Sequence, residues 1–185
     1  MLIGGYKIRN QAAAHFLTFT VVGWIDVFTR QLYRDILLDN IRYCQQNRGL
    51  LVHAWCLMSN HIHLVATAGK KDLSDVIRDF KKESARQLLR SISGNRAESR
   101  REWMLSLFSD FGRSNSRNSR YQFWKQDNHP EELFTGPVIF QKIDYTHQNP
   151  VAAGIVDKAE DYLYSSARDY RLGRKCGLLE IDFLV

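Results

Sequence analysis

The stretch "MSNHIHLVAT", Met58–Thr67, places two histidines inside a run of residues that otherwise suits a buried β-strand. Side chains alternate between the faces of a strand, so His61 and His63 should share one face while Ile62 and Leu64 occupy the other. Two imidazoles at this spacing can chelate one metal ion, although a third ligand is then required. The alternative is a pair of solvent-facing histidines with no chemical role.

The segments on either side of this stretch predict an α+β fold. "LLVHAWCLM", Leu50–Met58, is typical of a strand, and Ser59 and Asn60 form a turn signal that would join it to the histidine strand as a hairpin. The remaining patterns predict a strand over 15–24, helices over 28–49, 72–92 and 98–111, a strand over 121–126 and a helix from Pro137.

This order of elements, β-α-β-β-α-β-α, matches a ferredoxin-like antiparallel sheet with helices on one face. The two histidines should then stand on the opposite face, which we expect to be uncovered. We expect a single domain over residues 1–185, with an inserted basic helical segment at about 93–120 and a C-terminal extension at about 151–185.

The composition is that of an ordinary soluble domain, with 44% apolar and 25% charged residues in a chain of 185. No apolar run has membrane-spanning length and no signal-peptide pattern is present, so we expect a cytoplasmic protein with no membrane partner. The three cysteines, Cys44, Cys56 and Cys176, are scattered, which argues against a disulfide framework and a structural zinc site.

The charge of the chain favours a polyanionic partner. The net charge is +6, and arginines are concentrated in one polar stretch before the predicted strand at 121–126. We interpret this stretch, together with Lys142, as a DNA-binding surface that contacts phosphates; the alternative is a solvated helix and a loose loop. The arginines are Arg90, Arg96, Arg100, Arg101, Arg113, Arg117 and Arg120.

The last predicted helix offers partners for the histidines. Tyr145 and Asn149 are four residues apart and therefore neighbours on one helix face, nearly opposite an apolar stripe that includes His147. Because Pro150 discourages helix before it, we expect the helix to end there and the Asn149 amide to project from its end. We expect His147 to be a core residue. The alternative for this helix is a surface tyrosine followed by a stop signal.

Together, these side chains would form a site with nitrogen and oxygen ligands and no thiolate. Two imidazoles and one amide oxygen suit Mg²⁺ or Mn²⁺ better than structural zinc, and a phosphate oxygen of a substrate could complete the coordination. A phenol beside a metal-bound phosphate is a potential covalent nucleophile.

The histidine, apolar residue, histidine pattern and the later helix with one tyrosine resemble the HUH nucleases. The chain looks like their single-tyrosine, IS200-like branch, and specifically like the REP-associated tyrosine transposases. The resemblance runs from about Val21 to Tyr170 and is carried by "MSNHIHLV", "REWMLSLF", "YQFWKQDNHPEEL", "DYTHQNPVAAGIV" and "EDYLYSSARDY".

This resemblance implies a role for each candidate residue. His61 and His63 match the paired metal ligands, Tyr145 matches the nucleophile, and Asn149 matches the third ligand. Members of the family cut single-stranded DNA near hairpins through a 5′-phosphotyrosine and rejoin it by a second transesterification. The implied partner is therefore single-stranded DNA with REP-like hairpin elements.

Several alternatives stay open at this stage. A relaxase or replication initiator would use the same chemistry, but the short chain lacks a helicase part. A non-catalytic single-strand-binding module would keep the fold alone. Trp55, Phe123 and Trp124 could stack unpaired bases, although a core position is favoured for them, and the tail motif could pack on the sheet or hold a hairpin. A homodimer, in which Tyr145 serves the histidines of a partner chain, also stays open.

Overall fold

The computed structural model describes residues 7–115, 120–175 and 177–184. Its strands and helices follow one another in the order β-α-β-β-α-α-β-α-α, and short 3₁₀ turns lie at Val22–Trp24, Val27–Thr29 and Ala159–Asp161. The strands are β1 (His15–Thr20), β2 (Leu50–Leu57), β3 (His61–Ala68) and β4 (Glu131–Glu132), and the helices are α1 (Gln31–Arg48), α2 (Leu73–Gly94), α3 (Arg101–Arg113), α4 (Gly136–Ala152) and α5 (Ala167–Leu172).

The four strands form one antiparallel sheet in the order β2-β3-β1-β4. The predicted hairpin is confirmed, because β2 and β3 pair with Leu57 opposite Ile62 and the turn between them holds Ser59 and Asn60. The predicted α+β fold with an antiparallel sheet is therefore confirmed, and β3 lies in the middle of the sheet, between β2 and β1.

One face of the sheet packs against α1 and α2, as expected. Ile62 and Leu64 of β3 are almost completely buried there with Leu37 of α1 and Phe80 of α2. The alternation of the strand explains the arrangement, since every second side chain points to this apolar layer. The helices themselves are amphipathic and bury their apolar stripes against the strands.

The opposite face is not uncovered, so this part of the expectation is wrong. α4 packs against β2 and β3, and its Ile143 is buried with Phe16, Ala54 and Val65 of the sheet. These strand residues are apolar on the α4 face too, and covering them removes apolar area from water. The histidines therefore lie under a helix rather than on an open surface.

The segment before α4 also differs from the prediction. Residues 121–126 form no strand apart from an isolated bridge between Trp124 and Val21. Phe123 and Trp124 are both buried, and Val22 N–H donates to the Phe123 carbonyl at 2.9 Å. The strand that follows in the chain, β4, consists of Glu131 and Glu132.

α4 continues past the expected stop signal and ends at Ala152, with Pro150 inside the helix. Proline removes one backbone hydrogen bond from a helix. The helix continues beyond Pro150, which is buried, and the backbone N–H of Ala153 donates to the carbonyl of Asn149 at 3.0 Å. Asn149 is therefore within the helix, not at its end. None of the helices in the described ranges combines the length and apolarity needed to cross a membrane.

Candidate active site

The two histidines of β3 meet on the α4 face of the sheet. Their ring centroids are 4.7 Å apart. His63 stacks on Phe16 of β1 at 5.2 Å and is only 5% exposed. Thr18, which lies opposite His63 across the β1–β3 ladder, places its Oγ1 2.9 Å from His63 Nδ1. The register of β1 against β3 and the burial of His63 thus fix the two imidazole rings next to each other.

α4 brings Tyr145 to the same place within one chain. The Tyr145 ring lies 5.6 Å from the His63 ring and 5.7 Å from the Phe16 ring, edge-on to both. Tyr145 is nevertheless 51% exposed. The phenol is therefore beside the buried imidazole and open to a large substrate.

Asn149 lies one turn further along α4, on the face that carries Tyr145. Its Nδ2 donates to the backbone carbonyl of Tyr145 at 2.7 Å, so the amide folds back along the helix instead of projecting from an end. The side chain also hydrogen-bonds with His63 and, through that bond, raises the His63 pKa against larger opposing effects. A bond that raises the His63 pKa is one in which the amide oxygen accepts from the ring, so this oxygen faces His63; it is also the atom that a hard cation would bind.

The turn residue Asn60 fixes the orientation of His61. Asn60 Nδ2 donates to the carbonyl of Trp24 and to the Asp26 carboxylate, both at 3.2 Å. Both partners only accept, so the amide oxygen must face His61 Nδ1, which is 2.7 Å away and donates to it. The proton of a neutral His61 ring is thereby placed on Nδ1, and Nε2 keeps a lone pair for a metal ion.

Burial keeps both imidazoles neutral at ordinary pH. Burial, with smaller contributions from the neighbouring His61 ring and the Lys142 ammonium, lowers the pKa of His63 to about 3. Burial also lowers the pKa of His61. Only the neutral ring can bind a metal ion, so both shifts favour the ligand form of the rings.

Lys142 places a positive charge close to the phenol. Its Nζ lies 5.8 Å from the centre of the Tyr145 ring and 4.8 Å from that of Phe16. It also forms an ion pair with Glu131 of β4 at 2.6 Å. Two consecutive turns of α4 thus present a lysine, a tyrosine and an amide.

The available donor atoms fit a hard divalent cation for which the protein supplies only some of the ligands. Among the residues that the structure describes, no three His, Cys, Asp or Glu side chains gather closely enough to hold a metal ion. The side chains available are two neutral imidazoles and the Asn149 amide oxygen. Nitrogen and oxygen donors without thiolate are those that Mg²⁺ or Mn²⁺ accept.

The arginines of the predicted DNA-binding surface are placed in different environments. Arg100 and Arg30 both donate to Glu98, whose side chain is completely buried, and Arg100 also donates to the Asp26 carbonyl at 2.9 Å. Arg100 thus supports the loop before α1. Arg90, Arg96, Arg113 and Arg120 are exposed, Arg101 is half-buried beside Glu102, and Arg117 lies outside the described residues.

The aromatic residues considered for base stacking lie in the core, which is the position that the sequence analysis favoured for them. Trp55, Phe123 and Trp124 are at most 5% exposed. The tail packs on β2 through Tyr162, whose hydroxyl donates to the Leu57 carbonyl at 2.8 Å.

His147 is also a core residue. It is buried on α4, and its Nε2 lies 2.8 Å from Ser166 Oγ. The tail therefore helps to fix α4 over the sheet.

Sequence reasoning missed the residues that support the site. Phe16 and Thr18 belong to a strand that was predicted, but nothing in their own pattern marks them as contacts of His63. Asn60 stands directly before His61 and was interpreted only as a turn residue. Trp24, 56% exposed and 6.1 Å from the His61 ring, had no predicted role. The adjacency of Asn60 and His61 was the one local signal available.

Comparison with known proteins places the chain in a family. No curated protein matches the sequence. A solved structure described as a REP-associated tyrosine transposase bound to a REP hairpin has a similar fold, with a TM-score of 0.63 and 17% identity over 99% of this chain and 94% of that chain. Residues 15–117 match the family described as "Transposase IS200 like". Since this match spans more than half of the chain, the protein belongs to the IS200-like transposases, a family of DNA-processing enzymes.

Proposed function

We propose that the protein cleaves and rejoins single-stranded DNA with Tyr145 as the nucleophile. The observation that carries this proposal is the meeting of three rings in one chain: Tyr145 lies 5.6 Å from His63, which lies 4.7 Å from His61. An exposed phenol beside two neutral imidazoles has the composition of a phosphoryl-transfer site with a covalent intermediate.

In the first step, the Tyr145 oxygen attacks a phosphorus atom of the DNA backbone. The P–O3′ bond breaks, the new bond links the 5′-phosphate to the phenolic oxygen, and the leaving 3′ oxygen takes up a proton as the phenolic proton is lost. In the second step, a 3′-hydroxyl attacks the phosphotyrosine and releases the phenol. Each phosphodiester is exchanged for another linkage, so no nucleotide energy source is consumed.

The residues around the phenol have separate roles. His61, His63 and the Asn149 oxygen would hold Mg²⁺ or Mn²⁺, which would polarise the scissile phosphate and neutralise charge on its oxygens. Asn60 keeps His61 in the ligand tautomer. Lys142, whose Nζ lies 5.8 Å from the centre of the Tyr145 ring, would attract the phosphate.

We propose single-stranded DNA with a hairpin as the substrate. The similar solved structure is described as bound to a REP hairpin, and the net charge of +6 suits a nucleic acid. The exposed Arg90, Arg96, Arg113 and Arg120 are proposed to contact its phosphates. The catalytic groups meet within one chain, so the reaction needs no tyrosine from a second copy.

The test is incubation of the protein with Mn²⁺ and an end-labelled hairpin oligonucleotide, followed by a denaturing gel. The wild-type protein should give a protein-linked DNA band, and Tyr145→Phe should give none while it still binds the oligonucleotide. Tyr43→Phe is a matched control, since Tyr43 is also about half exposed, at 52%, but lies on α1. A covalent adduct in Tyr145→Phe would refute the assignment, and binding without any adduct in the wild type would indicate a non-catalytic module.

A further inference from the structure

The loop between β1 and α1, residues 21–30, holds one tryptophan in an unusual state. Trp24 has φ = +56°, in the left-handed region that side chains other than glycine rarely adopt. Its side chain is 56% exposed, although a tryptophan usually buries its ring. A strained backbone that presents a large aromatic surface to solvent calls for an explanation beyond packing.

The surrounding structure holds the loop firmly in this conformation. The carbonyl of Trp24 accepts from Asn60 Nδ2 at 3.2 Å, and its N–H donates to the Val21 carbonyl at 3.1 Å. Gly23, also left-handed at φ = +62°, lies so close to Phe111 of α3 that an added Cβ would come within 3.1 Å of that ring. The exposed indole is therefore positioned by three parts of the molecule.

The position of the indole relates it to the proposed active site. Its ring lies 6.1 Å from the His61 ring, and the Lys125 ammonium lies 4.0 Å from its centre. More than half of Trp24 stays exposed with both neighbours present, so indole surface remains available. An open aromatic surface beside a cation is the combination that proteins use for an unpaired base and its phosphate.

We infer that Trp24 is a stacking subsite for an unpaired nucleobase next to the phosphodiester that Tyr145 attacks, with Lys125 contacting a flanking phosphate. This inference rests on the proposed function, which sets the substrate as single-stranded DNA. We favour a nucleobase over a second copy of the chain as the partner of Trp24, because the Lys125 ammonium over the indole ring complements a phosphate. Asn60 then supports both His61 and Trp24. Its amide oxygen fixes the tautomer of His61, and its amide nitrogen donates to the Trp24 carbonyl.

The test measures binding without cleavage, using Tyr145→Phe protein in EDTA and fluorescent single-stranded oligonucleotides. Adding Trp24→Ala should weaken binding about tenfold, the scale of one stacked base. Trp24→Phe keeps a ring and should recover most of the affinity. The control is Tyr43→Ala, because Tyr43 is also about half exposed, at 52%, but lies on α1 outside the arginine-rich segment; it should leave binding unchanged.

An abasic scan of the oligonucleotide then locates the subsite. Removing one particular base should weaken binding to the Trp24 protein and make no further difference to Trp24→Ala. Equal effects of Trp24→Ala and Tyr43→Ala, or the absence of any base whose removal matters, would overturn the inference. A Trp24→Ala protein that lost self-association but kept its DNA affinity would overturn it as well. Thermal unfolding confirms that each variant is folded.

Failure of this inference and failure of the proposed function give different results. The adduct assay with wild-type protein reports on Tyr145, and the binding assay in EDTA reports on Trp24. Adduct formation with unchanged binding in Trp24→Ala would reject only the subsite. No adduct together with Trp24-dependent binding would reject the proposed function and the position of the subsite beside a scissile phosphate.

Discussion

The two faces of the sheet are built from the same strands but are filled by different chemistry. On the α1 and α2 face, β3 presents Ile62 and Leu64 to an apolar layer. On the α4 face it presents His61 and His63, and the His63 ring packs against Phe16 and Tyr145. The first face buries a large apolar layer, whereas the second combines a smaller apolar cluster around Ile143 with polar rings held by stacking and hydrogen bonds. The comparison indicates that stability resides mainly on one face and reactivity on the other.

Among changes that leave the Tyr145 hydroxyl in place, the largest expected effect comes from His63→Gln on the α4 face. The change removes an imidazole ligand but keeps a side chain of comparable size beside Thr18. The rate of adduct formation should fall about a hundredfold to a thousandfold, because several kcal/mol of charge stabilisation would be lost. Unfolding in urea should show a loss of only about 1 kcal/mol.

His53→Gln is the matched control for this change. His53 is also buried, at 3% exposure, and lies on β2, where Thr67 and the Asp182 carbonyl engage its ring. It should keep full adduct formation. If both variants lost activity equally, the effect would come from general destabilisation and the separation of the two faces would not hold.

Leu64→Ala should have the next largest effect, and it should lower the free energy of unfolding rather than the rate of adduct formation. Leu64 is 1% exposed in the apolar layer, and removal of its side chain should lower the free energy of unfolding by about 2–5 kcal/mol. Adduct formation by the protein that remains folded should change less than about threefold, since Leu64 points away from Tyr145. Urea unfolding and a gel assay at low temperature check the two quantities. A stable but inactive Leu64→Ala protein would contradict the comparison.

The sequence predicted the parts of the fold that depend on local periodicity. Alternation across His61–Leu64 was sufficient to assign the two faces of β3, and the helical spacing located α1 and α2. The pairing of His61 with His63 follows from the same alternation. Tyr145 and Asn149 were grouped correctly on one helix face, because four residues are about one turn.

The sequence did not predict the features that depend on contacts between distant segments. Nothing local shows that α4 covers the histidine face, or that a buried Pro150 lies inside it. The environment of Arg100 depends on Arg30 and on the Asp26 carbonyl, many residues away. The left-handed conformation of Trp24 is likewise supported by Asn60 and, next to Gly23, by Phe111, both far away in the sequence.

The smallest expected effect concerns the polar contacts behind the site. Glu98 accepts hydrogen bonds from Arg100 and Arg30, and Arg100 in turn holds the loop that contains Asp26 and Trp24. Burial raises the pKa of Glu98, but the bonds from the two arginines outweigh it and lower the pKa from 4.5 to about 2. The folded state therefore favours the ionised carboxylate.

Glu98→Gln should accordingly lower the free energy of unfolding by about 1–3 kcal/mol at pH 7, the scale of hydrogen bonds to a charged group. A depressed folded pKa stabilises the protein above pH 4.5 and ceases to do so as the pH falls towards 2, so the difference from wild type should shrink over that window. Urea unfolding at pH 7 and pH 3 measures it. The control is Glu83→Gln, whose exposed pair with Arg86 should contribute less than about 1 kcal/mol and weaken in salt. A difference for Glu98→Gln that stayed constant from pH 7 to pH 3 would show that the carboxylate charge does not support the site face.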